Sequence, residues 1–191
     1  MYVFWRRGYA DTSLDLLGSA TGLGRGSLYG AFGGKDELFR KCLDRYSSIY
    51  GPRYAQAMVD HSDDPVRGIE AFFGVVLDRI ADPAVPDGCL VALSASQLTT
   101  LHEDSRARVQ ALLEDQRERV RTLLASSEAD PRELDELAVF VVAVVQSLAV
   151  LSRAGTSNAD LRSVVRVACA AVEQRLGDFV AEVGSRQTLR P

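Results

Sequence analysis

The chain has 191 residues, 47% of them hydrophobic and 25% charged, and its formal net charge is −4 at pH 7. This length can bury one large core, or a small domain beside a larger one. No apolar run reaches the roughly 18 residues of a membrane span and no signal peptide precedes the first elements, so the sequence predicts neither a membrane partner nor secretion.

The first thirty-eight residues predict two very short helices joined by a glycine turn. Thr12 and Ser13 precede an apolar-periodic run and can accept hydrogen bonds from the first N–H groups of a helix. Gly22 is placed to end that helix in the left-handed conformation. Helices this brief are marginal in water, so packing must hold them. Two short helices across a tight turn are typical of a helix-turn-helix that presents one helix to a DNA groove.

The second of these helices begins near Gly24 or Arg25 and runs through Ala31, with Leu28 and Phe32 directed into the core. Its glycines disfavour a helix, but they would allow a close approach to a phosphate backbone. The alternative is a flexible glycine-rich loop without a partner. A nucleotide site is disfavoured, because the glycine spacing fits neither nucleotide-binding motif and no strand precedes it.

Beyond a Gly33–Gly34 break, the periodicity predicts helix after helix. The predicted ranges are 36–50, ended or kinked by Pro52; 65 to about 81, started by Asp64; 89–100; 103–128; 131–154; and 158 to about 183. No strand pattern and no internal repeat appears. The fold class predicted is all-α.

The last two predicted helices, 131–154 and 158–183, are expected to form a homodimer interface. Residues 137–145 are apolar on every side, so this helix must be covered on all sides. The last helix carries an apolar stripe that includes Phe179 and Val183. The alternative is a central helix fully buried within a monomer.

Three blocks of the sequence resemble the DNA-binding domain of the TetR (tetracycline-repressor-like) family of transcriptional regulators. The blocks are GYADTSL at residue 8, the run ATGLGRGSLYGAF at residue 20, and GKDEL at residue 34. The resemblance implies a three-helix helix-turn-helix DNA-binding domain, assigned to residues 1–45. A larger helical domain for effector binding and dimerisation follows, assigned to residues 46–191. The family normally has a full first helix, so the short first helix here suggests a trimmed start or a miscalled initiation codon.

The charge distribution agrees with a DNA-binding head. Residues 1–50 carry seven Lys and Arg and five Asp and Glu, a net charge of +2, whereas residues 51–191 carry fifteen and twenty-one, a net charge of −6. We therefore expect the acidic part to face away from DNA.

Within the head, Arg25 is the best candidate for a guanine contact, and Ser27 is an adaptable neighbour. The full set of predicted DNA-binding residues is Thr12, Ser13, Arg25, Gly26, Ser27, Tyr29, Gly30 and Lys35. Two alternatives stay open: Tyr29 as a core aromatic residue and Arg25 as a solvated surface charge.

An effector pocket is predicted on the inner faces of the middle helices. Its candidate lining residues are Tyr54, Phe72, Phe73, Val76, Cys89, Leu93, Gln97, Leu112, Gln116, Phe140, Val144 and Ser147. Its polar members lie on apolar helix faces and therefore need hydrogen-bond partners. A ligand could supply these partners, or the polar residues could equally pair with each other or with the backbone. Cys89 lies in a Gly-Cys-Leu run that resembles part of the family. No basic residue is near it in sequence, which favours an inert thiol over an electrophile sensor.

Catalysis is not predicted. The two histidines, His61 and His102, lie near helix ends, and no Cys/His cluster has metal-ligand spacing. No cofactor or metal is expected. Three scattered cysteines, Cys42, Cys89 and Cys169, favour a reduced cytoplasm over a disulfide framework.

The resulting hypothesis is a cytoplasmic repressor, released from a near-palindromic operator by a small molecule. The alternative is a helical homodimeric interaction protein that has lost DNA binding. An all-helical enzyme is a third and weaker possibility.

Overall fold

The computed structural model describes residues 1–127 and 129–188, with the side chains of the last helix described as far as residue 177. Over this range the chain is all-helical and contains no strand. The helices are α1 (Tyr2–Arg7), α2 (Leu14–Thr21), α3 (Arg25–Phe32), α4 (Lys35–Val59), α5 (Pro65–Ala81), α6 (Leu90–Ser96), α7 (Glu103–Leu124), α8 (Pro131–Arg153) and α9 (Asn158–Thr188), with a short 3-10 turn at Leu98–Thr100.

The boundaries of the two short helices follow the predicted caps. Ser13 Oγ accepts a hydrogen bond from the Leu16 N–H at 3.2 Å, which satisfies a donor that α2 leaves free. Gly22 ends α2 with φ +72°, and Gly33 ends α3 with φ +74°. These predictions are confirmed.

The six-residue α1 is stabilised by aromatic packing and by a contact from α8. Phe4 and Trp5 are fully buried, and the Phe4 ring meets Phe39 edge-on at 5.0 Å. Arg153, the last residue of α8, donates to the Trp5 and Arg6 carbonyls at 3.0 Å each. Carbonyls at a helix end lack intrahelical partners, so Arg153 caps α1.

Helix α4 is longer than predicted, because it continues past Pro52 to Val59. Residues on the far side of the proline are held by tertiary packing: Met58 is buried, and the Tyr54 ring packs edge-on against Phe72 at 5.3 Å. Packing of this kind can outweigh the local cost of a proline inside a helix. Two other predicted helices are shorter than expected, since α6 ends at Ser96 and α7 at Leu124.

The buried residues within the described ranges form two clusters. One joins α5, α7, α8 and α9 with the end of α4. The other joins α1–α4 with α6 and α7. The core of the N-terminal head, residues 1–45, is therefore continuous with part of the C-terminal body, which α5–α9 form. The stripe predicted on α9 is buried at Leu161, Val172 and Leu176, whereas the Phe179 and Val183 side chains lie outside the described residues.

Helix α8 is apolar on both its inner and its outer side. Its inner side contributes seven buried residues to the core, while Val139, Phe140 and Val150 remain 39–62% exposed. By length and composition alone, α8 is long and apolar enough to cross a membrane. The core helix of a soluble protein can have the same length and composition.

Gly88 is a point of close packing behind the head. Its φ is +80°, and a Cβ there would lie 2.6 Å from Arg153 Cγ and 2.9 Å from the Ala149 carbonyl oxygen. We expect Gly88→Ala to lower the free energy of unfolding by about 2–4 kcal/mol, from backbone strain and overpacking together. Gly155→Ala is the matched control, because its φ is +85° but its surroundings are open. Urea denaturation that gave both variants the same loss would contradict this interpretation.

Candidate nucleic-acid interface and cavity

The surface of α3 is exposed except where it packs on the core. Leu28 is 1% exposed and Phe32 is half-buried against the head cluster. Five of the predicted DNA-binding residues are exposed on this helix: Arg25, Gly26, Ser27, Tyr29 and Gly30. The structure therefore presents one continuous outward surface at α3, defined by these five residues.

Arg25 is oriented by an acidic residue of the preceding helix. Its Nε and Nη2 donate to the two carboxylate oxygens of Asp15 at 2.8 and 2.6 Å. Both side chains are about two-thirds exposed. Hydrogen bonding and charge from Arg25 lower the pKa of Asp15, so the carboxylate stays ionised. The other edge of the guanidinium, formed by Nη1 and Nη2, points to no partner among the described residues.

Tyr29 is 54% exposed, which excludes the interpretation of this residue as a core aromatic. Its ring lies beside the α3–α4 turn, where a Cβ on Gly34 would be 3.4 Å from Tyr29 Cε1.

The prediction that Thr12 contacts phosphate is wrong in this structure. Thr12 is fully buried, and its hydroxyl donates to the Gly8 carbonyl at 2.6 Å. The hydroxyl therefore closes the α1–α2 turn and is not available to a ligand. Ser13, the next residue, is exposed while it caps α2.

Lys35 opens α4 and is half-buried. Its Nζ is 4.2 Å from the centroid of the Tyr9 ring, within the range of a cation–π contact. Burial lowers the pKa of Lys35, and the charge of Asp11 opposes that shift.

A separate cavity of about 60 Å³ lies between α4, α5, α7 and α8. One water needs roughly 10–15 Å³, so the cavity has room for several waters or a small organic group. Five of the predicted pocket residues line it: Tyr54, Phe72, Cys89, Leu112 and Gln116.

The other seven predicted pocket residues lie elsewhere. Phe73 and Val76 are fully buried in the body core, and Val144 packs against it. Phe140 and Ser147 are exposed, Leu93 is half-buried, and none of these six lines the cavity. Gln97 accepts a hydrogen bond from the Tyr9 N–H at 2.9 Å, so it joins the head to the body.

Several lining residues were not predicted. Tyr46, Tyr50 and the predicted Tyr54 follow each other at helical spacing along α4, and all three line the cavity. This i, i+4, i+8 pattern is visible in the sequence and could have been recognised. Gln146 also lines the cavity, whereas the sequence had indicated its neighbour Ser147 as a lining residue. Gln146 Nε2 donates to Gln116 Oε1 at 3.1 Å. Val91, Val145, Asp115, Arg119, Ser47 and Gly51 complete the lining.

Cys89 is buried at the cavity wall. Its Sγ is 3.2 Å from the Tyr46 hydroxyl, and its residue is 8% exposed. The choice between an inert and a reactive thiol stays open.

Two families of known proteins match the chain in succession. Residues 1–42 match the bacterial regulatory proteins of the tetR family, and residues 65–167 match the C-terminal domain of LmrA/YxaF-like transcriptional regulators. The chain belongs to the TetR family. It is accordingly a DNA-binding transcriptional regulator with an N-terminal helix-turn-helix, as the sequence motifs predicted.

Relatives of this TetR-family chain include regulators seen on DNA. A cysteine-substituted CifR, a TetR family regulator complexed with 26-bp operator DNA, is 29% identical with a TM-score of 0.80; the match covers 89% of this chain and 91% of CifR. A TetR regulator from Chloroflexus aurantiacus is 25% identical with a TM-score of 0.78, covering 91% of this chain and 89% of that one. The transcriptional repressor ComR of Escherichia coli K12 is 27% identical over 172 residues, or 86% of this chain and 80% of ComR.

Proposed function

We propose that this TetR-family chain is a homodimeric repressor that binds a near-palindromic operator through α3 and is released by a small ligand. The observation that carries the proposal is the outward surface of α3, where Arg25 and four neighbours are exposed on a helix that Leu28 anchors in the core. CifR on its operator and the repressor ComR support it by similarity.

The contacts proposed to DNA follow from the exposed groups. The Nη1/Nη2 edge of Arg25 can donate to guanine O6 and N7, the commonest bidentate contact in a major groove. Ser27 and Tyr29 supply hydroxyls, and Gly26 and Gly30 let the phosphate backbone approach closely. Ser13 and Lys35 complete the proposed set, and Thr12 is not part of it.

The homodimer is proposed from the exposed apolar side of α8. Val139, Phe140 and Val150 on α8 and Val167 on α9 are exposed by 39–72%, a concentration that a second copy of the chain can cover. A twofold pair can place its two α3 helices about 34 Å apart, in successive major grooves on one side of DNA.

Release by a ligand requires that the cavity and the head share an element. Helix α4 meets this requirement, because Tyr46, Tyr50 and Tyr54 line the cavity while the beginning of the same helix follows α3. A ligand that favours a conformer with the wrong α3 spacing weakens operator binding. By linkage, operator DNA then weakens ligand binding by the same factor.

Selection of binding sites from random DNA duplexes tests this function. We expect enrichment of an inverted repeat, and light scattering of the free protein should give about twice the chain mass of 20.8 kDa. No enrichment would favour an interaction protein that has lost DNA binding. A monomer mass would contradict the dimer.

The Arg25–Asp15 pair makes a narrower prediction about specificity. We expect Asp15→Asn to reduce discrimination for guanine at one position of each half-site by roughly threefold or more, because the guanidinium loses its ionic support. Overall affinity should change less, since a negative charge near DNA is also removed. Titrations with operators carrying each base at that position measure the effect. Unchanged discrimination would show that Asp15 does not position Arg25.

A further inference from the structure

A buried cation with unsatisfied donors lies next to the cavity. Arg79 of α5 is 2% exposed, and its Nη1 donates to the Gly88 carbonyl. Among the described residues, its buried Nε and Nη2 have no hydrogen bond of normal geometry, although the Tyr54 hydroxyl lies near enough to interact with the guanidinium. A guanidinium is always charged, and a buried charge without a counterion is strongly unfavourable.

The neighbours of Arg79 do not supply the missing negative charge. The titratable groups around it are Tyr46, Tyr54 and Cys89, and no carboxylate among the described residues is paired with it. Burial raises the pKa of Tyr46 and of Tyr54, so both hydroxyls stay protonated.

These same neighbours connect Arg79 to the cavity. Tyr46, Tyr54 and Cys89 all line it, so the groups closest to the guanidinium are cavity-wall groups. The guanidinium carbon also lies 5.7 Å from the centroid of the Tyr50 ring, another lining residue. Arg79 itself is not among the described lining residues, so a ligand would reach its charge past these wall groups.

Beyond these groups the wall combines an apolar part with polar residues, among them Asp115, Gln116, Arg119 and Gln146. Phe72, Val91, Leu112 and Val145 offer a surface for a hydrocarbon ring. Gln146 Oε1, by contrast, is a buried acceptor that has no partner in the part of the chain that the structure describes. A complementary ligand has a flat apolar body, an anionic group at the Arg79 end and a hydroxyl elsewhere.

We propose that the cavity binds a small aromatic carboxylate, whose charge is balanced by Arg79. This inference names the ligand class of the repressor proposed above and rests on that proposal. Arg119 is a second cation at the wall, but its Nη1 already donates to the Gly51 carbonyl at 2.8 Å and Asp115 lines the same cavity. Unlike Arg119, Arg79 has guanidinium nitrogens that are buried without a hydrogen bond of normal geometry among the described residues.

Calorimetric titration of the full chain without DNA tests the proposal. The probes are 4-hydroxybenzoate, benzoate and phenylacetate, each compared with its own primary amide, which has a similar shape and no charge. We expect at least one acid to bind about tenfold or more tightly than its amide, as for a hydrogen bond to a charged group. Arg79→Met should abolish that preference, and Arg79→Lys should keep part of it.

Arg119→Met is the matched control, because it removes a cation from the same wall and should leave the preference for the acid intact. Circular dichroism verifies that each variant is folded. If Arg79→Met does not fold, the wild-type comparison of acid with amide, Arg79→Lys and Arg119→Met still decide the matter. The proposal is wrong if none of the three acids binds better than its amide, or if Arg119→Met and not Arg79 substitution removes the preference. Either failure leaves operator binding by α3 untouched, since DNA is absent from the assay.

Discussion

Arg25→Ala is expected to weaken binding to the selected operator by about 30-fold or more. A bidentate contact to guanine contributes about 1–3 kcal/mol, and a symmetric dimer makes this contact once in each half-site. The exposed Nη1/Nη2 edge of Arg25 is the structural reason for assigning it this contact. Fluorescence anisotropy with labelled operator, at a fixed salt concentration, measures the change.

Arg132→Ala provides the matched control for Arg25. Arg132 is also an exposed arginine, but it lies at the start of α8, away from the α3 surface. The same loss of charge there should change operator affinity less than about twofold, because long-range charge effects are screened by salt. Equal losses in the two variants would mean that Arg25 acts only through net charge.

Trp5→Ala is expected to lower the free energy of unfolding by about 3–5 kcal/mol, the usual cost of truncating a large buried aromatic residue. Trp5 is fully buried, and its ring meets Tyr46 edge-on at 5.0 Å and Tyr50 at 6.0 Å. These tyrosines also line the cavity, so the short α1 supports both the head and the cavity wall. Chemical denaturation followed by circular dichroism measures the loss.

Tyr2→Ala is the control on the same helix, because Tyr2 is 43% exposed. Its substitution should cost less than about 1 kcal/mol. If Trp5→Ala were no more damaging than Tyr2→Ala, α1 would not be a structural part of the head.

Signals that act within a few residues were predictable from the sequence. Ser13 and Gly22 bound α2 as expected, and Asp64 caps α5 by accepting from the Arg67 N–H at 3.1 Å. A cap depends only on the residue type and its nearest backbone groups, so the sequence contains all the necessary information. The same is true of the spacing of the DNA-binding motifs.

The cavity was harder to predict, because periodicity identifies the buried side of a helix but not its partner. Phe73 and Val76 are buried as expected, yet they pack into the body core and not against the cavity. Arg79 was missed because an arginine on an amphipathic helix is normally assigned to solvent. Only the tertiary fold buries its charge, where α5 packs against α4 and the Gly88 carbonyl accepts from Nη1.

Thr12 shows the same limit at short range. Its residue type suits a phosphate contact as well as a turn, and only the position of the Gly8 carbonyl decides between them. Pro52 is another example, because a proline that ends an isolated helix is retained inside α4 by tertiary contacts.

Hydroxyl-radical footprinting of the selected operator tests most directly whether two copies of α3 bind DNA as a symmetric pair. We predict two protected segments on one side of the duplex, with centres one helical turn apart and related by a dyad, and both should be lost with Arg25→Ala. A single protected segment, protection on opposite sides, or a footprint unchanged by Arg25→Ala would contradict the account.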